Sequence, residues 1–494
     1  MKSRLRYITQ IILLRWWIVM LIAMLATFAL SLYMGLGQSI WFDEGYSILL
    51  AKQPLPDLLR LTNVDAHPPF YYILLQAWAG IFGWSELALR SLSALLTAGV
   101  VGMAILLVRI LFSTKLALSV APLLVVAPFL LRYGYEVRMY ALASLIAVTA
   151  TYVLVRALQQ GSSKKTWLLY GALVALGMYT LYMTVVVWLG HVVWILLTTN
   201  PKKKLLRHPA IVGYVTAFIV FLPQLPIFIH QTINSALPGV GTELTLTKLV
   251  SVLGVLTIYT PEWQIGGWLS LLLIIGMILF GVLFGEIIRD KRYRQGILLI
   301  SVLVVVPLIF YALTSLPPRK PIFIERYMAH VSVYFYLLIA LVAVLSSTTQ
   351  KRKLAVAFSI VVTLVSVIGL VRLHEAGNLN LERMQLPETR QLRAAIPCDS
   401  TTIVADDPYT YIDSFYYFES CNLVFFSKDS IAFQGGYAPL ALGDKRIDSA
   451  GDVSTERLVH LSWDGTTPLF VPDPQYRLVN QVVYGKQVVT IYER

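Results

Sequence analysis

The run Trp41 Phe42 Asp43 Glu44 Gly45 Tyr46 comes just after an apolar segment at 12–34 and is answered at 67–72 by His67 Pro68 Pro69 Phe70 Tyr71 Tyr72. A segment like 12–34 is long enough to cross a bilayer, which takes about 20 apolar residues. The run therefore sets two adjacent carboxylates, Asp43 and Glu44, at a membrane surface. Carboxylates are costly there unless they face water, a partner or a substrate, so the pair marks a candidate site.

Outward from that run the apolar pattern recurs. Hydrophobic residues fill 57% of the 494 positions and charged residues only 14%, the composition of a multi-pass membrane protein. The first apolar segment follows Lys2, Arg4 and Arg6 and has Arg15 near its start, as a signal peptide would, but no small-residue cleavage site follows it. It reads as a retained first span.

Residues 1–374 hold 30 Lys and Arg against 11 Asp and Glu, and 375–494 hold 10 against 16, so the positive charge behind the chain's net +13 belongs to the membrane part. Its basic residues sit in short clusters between apolar segments, as cytoplasmic loops do, and this argues against nucleic acid as a partner. The clusters are Lys2 to Arg6, Arg109 with Lys115, Arg156 with Lys164 and Lys165, Lys202 to Arg207, Arg289 to Arg294, and Lys351 to Lys353. All share one side if eleven spans run at 12–34, 87–110, 116–133, 139–157, 166–183, 184–199, 210–229, 266–287, 296–314, 327–345 and 353–371. The expectation is a cytoplasmic amino terminus and an extracytoplasmic C-terminal region.

Two further apolar stretches, 68–83 and 244–259, are expected to be helices lying in the interface, because counting either as a span reverses basic clusters to the outside. With this count Asp43, Glu44, Asp57, Asp65, Glu86, Glu136, Glu243, Glu262 and Glu325 all face the outer compartment. No expected span carries an acid near its middle, which argues against an ion-coupled transporter.

From 375 onward the apolar runs shorten. Strands are expected at Thr402 to Ala405, Leu423 to Phe426, Pro468 to Val471 and Gln487 to Tyr492, and a helix at Pro387 to Ala395. The division expected is a membrane domain, 1–372, carrying a catalytic outer loop at 35–86, and a small extracytoplasmic α/β domain, 373–494. Cys398 and Cys421 are the only cysteines. Pairing and two free thiols both stay open on sequence alone.

Several features together resemble one family. They are the Asp43 Glu44 pair after the first span, His67 Pro68 Pro69 opening an interfacial helix, Phe82 Gly83 with Arg90, Glu136 with Arg138 and Tyr140 after the third span, and Arg326 Tyr327 opening the tenth. The pattern is similar to that of the polytopic GT-C glycosyltransferases, in particular the bacterial relatives of protein O-mannosyltransferases and of lipid A aminoarabinose transferase. The motifs cover roughly 38–140 and 317–327; the remaining spans are alike in hydropathy only, and the C-terminal domain gives no specific match.

The resemblance implies a mainly α polytopic fold and a sugar donor linked through phosphate to a polyprenol. Mannose is one candidate sugar, and the acceptor is an extracytoplasmic hydroxyl on protein, lipid or glycan. It assigns Asp43 as catalytic base. Transfer to a hydroxyl needs a carboxylate to take its proton, and arginine suits the negative charge that builds on the departing phosphate.

Around Asp43 the candidates are Glu44, which orients it, shares a cation with it or occupies a helical turn, and Glu136, an acceptor or sugar contact. Arg138 and Arg326 are candidate phosphate ligands, and His67, Tyr140 and Tyr327 candidate substrate contacts. Each has a plainer reading: Asp43 as a helix cap, Glu136 paired with Arg138, Arg326 paired with Glu325, His67 satisfied at the interface, the tyrosines in an aromatic belt. Two carboxylates are too few to specify Mg²⁺ or Mn²⁺, so a divalent cation is left open. The alternative function, a transporter or flippase of lipid-linked saccharides, calls for an internal repeat and polar residues inside the spans, and neither is evident.

Overall fold

The computed structural model describes residues 15–159, 163–199, 208–234, 245–260, 267–314, 316, 323–347, 351–376, 386–428 and 433–494. The first helices are α1 (Trp16–Gly35), α2 (Phe42–Ala51), α3 (Leu55–Asn63), α4 (Phe70–Phe82), α5 (Glu86–Leu111), α6 (Thr114–Val125) and α7 (Pro128–Tyr133). Then come α8 (Tyr140–Gln159), α9 (Lys164–Thr180), α10 (Val185–Thr198), α11 (Ala210–Phe221), α12 (Leu225–Asn234) and α13 (Leu246–Ile258). The last long helices are α14 (Gly267–Ile287), α15 (Arg294–Thr314), α16 (Ala329–Ser346) and α17 (Arg352–Ala376). Two shorter ones, α18 (Leu386–Ala395) and α19 (Pro408–Phe418), accompany the strands β1 (Thr401–Ala405), β2 (Asn422–Phe426), β3 (Arg446–Ile447), β4 (Arg457–Trp463), β5 (Arg477–Tyr484) and β6 (Gln487–Glu493).

The chain is a multi-pass membrane protein. Seven described helices are long and apolar enough to cross a bilayer, and the bent pair α11 and α12 makes an eighth if it is one span. A count of eleven would add shorter or broken pieces. The segment expected at 116–133 is two helices, α6 and α7, because Pro128 lacks the N–H that would continue α6 and holds Ala127 extended (ψ 109°). The segment at 210–229 bends by 77° between α11 and α12, in a stretch that contains Pro223 and Pro226. The two stretches set aside from the count form α4 and α13, each of 13 residues. That is about 20 Å of helix, too short to cross.

By contact the chain falls into two compact units. One comprises Met1–Met34, Arg90–His230 and Leu237–Leu379; the other comprises Gly35–Leu89, Gln231–Ala236 and Asn380–Arg494. The loop expected to belong with the membrane part thus groups with the C-terminal residues.

The first unit is the helical bundle. Inside it, Thr151 Oγ1 lies 2.9 Å from His191 Nε2 and 2.6 Å from the Tyr334 hydroxyl, and Tyr170 is 3.0 Å from His191 Nδ1. This buried polar cluster ties α8, α9, α10 and α16 where an unpaired polar group would be expensive. An apolar cavity of about 420 Å³, lined by Leu253, Phe280, Phe335, Phe358 and Val365 among others, lies among α13 to α17.

The second unit is built on a six-stranded sheet in the order β3-β2-β1-β4-β6-β5. Strands β1 to β4 are parallel neighbours, with Ile403 opposite both Leu423 and Val459, while β6 runs antiparallel to β4 and β5. β1 is buried along its whole length, and Val404, Leu458, Ile447, Val453, Phe470 and Tyr476 form the core beside it. The strand expected at Pro468 to Val471 is a loop. Pro468 and Pro472 remove ladder donors at both sides, and the backbone N–H groups of Leu469 and Phe470 donate to Asp406 Oδ1, each at 2.8 Å. Cys398 and Cys421 are joined in a disulfide across a separation of 23 residues, a loop whose closure contributes about 3 kcal/mol in the chain-entropy model.

Candidate active site

The acidic pair sits in the first turn of α2, where carboxylates complement the positive end of the helix dipole. Asp43 is half-buried and Glu44 is fully buried, at 0% exposure. Of the two, Asp43 has surface to offer a ligand, which agrees with its place as the expected base. The α2 helix is held against α19 by close backbone approach at Gly45, whose added Cβ would lie 2.4 Å from the Ile412 carbonyl oxygen. Around that crossing Lys52 pairs with Glu419 at 2.5 Å, and the Ile40 N–H donates to the Tyr417 hydroxyl at 2.7 Å, which donates to Glu86.

The second half of the opening pattern packs beside the first. His67 Nδ1 lies 3.3 Å from Asp65 Oδ2, and the Tyr46 hydroxyl hydrogen-bonds the same carboxylate. Tyr46 also meets Tyr72 edge-on at 6.0 Å, and Tyr72 meets Tyr71. The runs 41–46 and 67–72 thereby pack together through Asp65, which in the sequence stands out only as one of the outer acids. Burial pushes the Asp65 pKa up, but the His67 charge and hydrogen bond, with those from Tyr46 and the Ala66 N–H, bring it below the usual carboxylate value.

A carboxyl depressed on folding stabilises the native state above its unfolded pKa, and that stability is lost as pH falls through the folded value. An Asp65→Asn protein should therefore melt lower at neutral pH, by the equivalent of about 1–3 kcal/mol for a spoiled buried acceptor, and lose less on acidification from pH 5 to 3 than the parent. Thermal melts at both pH values check this; equal acid sensitivity would refute it.

In the helical unit, Glu136 is ion-paired with Arg132: Arg132 Nη1 donates to Glu136 Oε2 at 2.9 Å, and both are buried. The Glu136 carbonyl accepts from Ser93 Oγ at 2.5 Å and from the Arg138 N–H at 2.7 Å, so the segment between α7 and α8 is tightly folded. Arg132 lies 5.2 Å from the ring centroids of both Tyr133 and Tyr135. It also bonds the phenol of Tyr259, a residue in the left-handed region at φ 49°. Such a conformation is unusual for a tyrosine and costs roughly 1–2 kcal/mol.

Arg132 and Tyr259 belong to this cluster and are not among the candidates that the sequence singles out. The clue was the density of tyrosines around Arg132. Arg138 and Tyr140 are buried, and Tyr140 meets Tyr133 edge-on at 4.8 Å.

Arg326 and Tyr327 lie in a short 3₁₀ turn, Glu325–Met328, before α16. Glu325 pairs with Lys248. The Tyr327 carbonyl accepts from the Tyr311 hydroxyl at 3.4 Å, and Tyr311 is within electrostatic range of both Tyr327 and Tyr140. Of the expected residues of this unit, Tyr140 and Tyr327 thus lie near Tyr311. Glu243, Glu262, Pro317, Pro318, Arg319, Lys320 and Pro321, and the basic clusters at 2–6 and 202–207, lie outside the described residues.

A family model described as dolichyl-phosphate-mannose-protein mannosyltransferase matches residues 66–227. Comparison with curated proteins finds no match. Among solved structures, apo ArnT from Cupriavidus metallidurans is similar over 96% of this chain and 97% of its own, with a TM-score of 0.64 at 12% identity. The chain has a GT-C fold. ArnT from the same organism bound to undecaprenyl phosphate matches with a TM-score of 0.60 at 14% identity, over 96% of this chain and 98% of that one. The apo oligosaccharyltransferase of Archaeoglobus fulgidus matches with a TM-score of 0.50 at 14% identity, over 81% of this chain and 63% of that one. The GT-C fold accounts for a helical bundle followed by a small α/β region. Among the described residues no group of three His, Cys, Asp or Glu side chains is placed to hold a metal ion.

Proposed function

We propose that this chain is a membrane glycosyltransferase that moves a sugar from a polyprenyl phosphate to an extracytoplasmic hydroxyl acceptor, with inversion. The observation that carries the reading is the half-buried Asp43 beside the buried Glu44 in the first turn of α2, in a chain with a GT-C fold. ArnT bound to undecaprenyl phosphate and the mannosyltransferase family model both support a lipid-phosphate donor.

In this reading the acceptor oxygen attacks the anomeric carbon as Asp43 takes its proton. The new C–O bond forms, the bond from that carbon to the phosphate oxygen breaks, and polyprenyl phosphate leaves with the electron pair. Arg138 and Arg326 hold that phosphate and counter its growing charge. Glu44, closed from solvent, positions Asp43; Glu136, engaged by Arg132, anchors the segment that carries Arg138. His67, Tyr140 and Tyr327 line the substrate. The apolar cavity among α13 to α17 suits a stretch of isoprenoid chain. Mannose is the sugar to try first.

The test is turnover of labelled polyprenyl-phosphate mannose, glucose and arabinose, one at a time, by the purified protein in lipid with membrane extract as acceptor. Products are read by mass spectrometry and anomeric configuration by NMR. Transfer of one sugar with inverted configuration is expected; no transfer of any, with extract known to hold acceptor, would overturn the reading.

A further inference from the structure

Four aromatic rings gather at the carboxyl edge of the parallel sheet in the second unit, and one of them precedes Asp43 in the chain. Phe42 stacks on Tyr409 with centroids 4.4 Å apart and planes within 3°, and meets Tyr437 edge-on at 6.1 Å. Tyr409 in turn meets Trp463 at 6.1 Å, and the Trp463 indole is fixed by donating to Thr410 Oγ1 at 3.0 Å. Gly436 leaves room for this: a Cβ there would sit 3.3 Å from the Phe42 ring. None of the four rings is fully buried, so the cluster is an open shelf.

Its place in the fold is a second, independent pointer to a ligand. The chain leaves β1 toward β2 and β3 on one side, then crosses back to β4 on the other. Tyr409 follows β1 and Trp463 ends β4, so the shelf stands at the point where strand order reverses, the usual ligand position in a parallel α/β sheet. Asp406 fills the crevice itself, accepting from His460 Nε2 at 2.9 Å and from Leu469 and Phe470.

We infer that the shelf of Phe42, Tyr409, Tyr437 and Trp463 binds a neutral sugar ring of the acceptor, which makes the acceptor a glycan and presents its hydroxyl to Asp43. This rests on the glycosyltransferase reading and deepens it. A pyranose offers one apolar face for an aromatic ring and a rim of hydroxyls for carboxylates, and here Asp407 is within electrostatic range of Tyr437 while Asp43 follows Phe42 in the chain. Asp407 caps α19 through the Thr410 N–H, and burial with the Asp407 charge pushes the Tyr437 phenol above its ordinary pKa. The Asp407 carboxylate disfavours an anionic ligand. A peptide is the weaker fit, because β1 and β4 are paired on both sides and offer no free backbone edge.

The test is binding by the full chain in lipid nanodiscs, without donor, of mannopentaose, maltopentaose, chitopentaose and a Ser/Thr-rich decapeptide, read by saturation-transfer NMR. At least one pentasaccharide should bind, with affinity lost about tenfold or more in Tyr437→Ala and kept within about twofold in Tyr437→Phe. Phe42→Leu, which keeps an apolar side chain, should also lose binding and serves if Tyr437→Ala fails to fold. Binding of the decapeptide alone, of no probe, or of a pentasaccharide equally by parent and both ring-removed variants would overturn the shelf as a glycan site. Because no donor is present, those outcomes leave the role of Asp43 standing, and a chain that proved unable to transfer sugar could still bind a pentasaccharide.

Discussion

Asp43→Asn is expected to lower kcat by about 10²–10⁴-fold while the protein stays folded and still binds polyprenyl phosphate. The amide has the carboxylate's shape but cannot take the acceptor proton. Asp43 is only half-buried, and losing an anion at the α2 N-terminus costs about 0.3–1 kcal/mol. Glu44→Gln supplies the contrast. Its carboxyl is sealed from solvent, so the change should act through packing and the placing of Asp43, with a lower melting temperature and a smaller loss of kcat. If Asp43→Asn turns over normally and Glu44→Gln does not, the roles of the two are reversed. Paired measurements of kcat, KM for donor and thermal midpoint on both variants decide it.

The helices were legible in the sequence because membrane spans declare themselves by hydropathy over about 20 residues, and every expected segment is helical. Their breaks were legible only residue by residue: Pro128 ends one expected span because it has no N–H to give. In the sheet, β1, β2 and β6 read easily as short apolar runs. β4 did not, because His460 and Ser462 interrupt its pattern. His460 is nonetheless buried, since Asp406 supplies its partner from another segment. No local reading shows a hydrogen bond between residues so far apart in sequence.

The same limit applies to the site. Asp43, Glu44 and His67 were chosen from their places beside an apolar segment, but the bond of His67 to Asp65 and that of Glu136 to Arg132 are facts of tertiary structure. The change in composition near 375 suggested one boundary. The contacts group 35–89 with the C-terminal residues instead, because close helix packing at α2 and α19 leaves no mark on composition.

That packing gives the second large effect. Gly45 lies mid-helix in α2, where glycine is about 1 kcal/mol worse than alanine, so helix propensity alone predicts that Gly45→Ala stabilises. The structure predicts the opposite. A Cβ at Gly45 would stand 2.4 Å from the Ile412 carbonyl oxygen and 3.4 Å from its Cγ2. The near atom is helix backbone in α19 and cannot rotate aside as a flexible side chain would. α2 would have to lift by most of an ångström, loosening the Phe42–Tyr409 stack and the Lys52–Glu419 pair together. Overpacking of this kind costs about 1–3 kcal/mol or more, against the roughly 1 kcal/mol gained from propensity. Gly45→Ala should therefore lower the melting temperature and, by displacing Asp43 at the start of the same helix, cut transfer at least tenfold, since small misplacements of a reacting group weaken catalysis steeply. Gly80, also helical but with nothing within 4 Å of its added Cβ, is the control: Gly80→Ala should hold or raise the melting temperature. A Gly45→Ala protein that melts higher than its parent would mean that α2 and α19 do not touch at backbone distance and that Asp43 is held by something else.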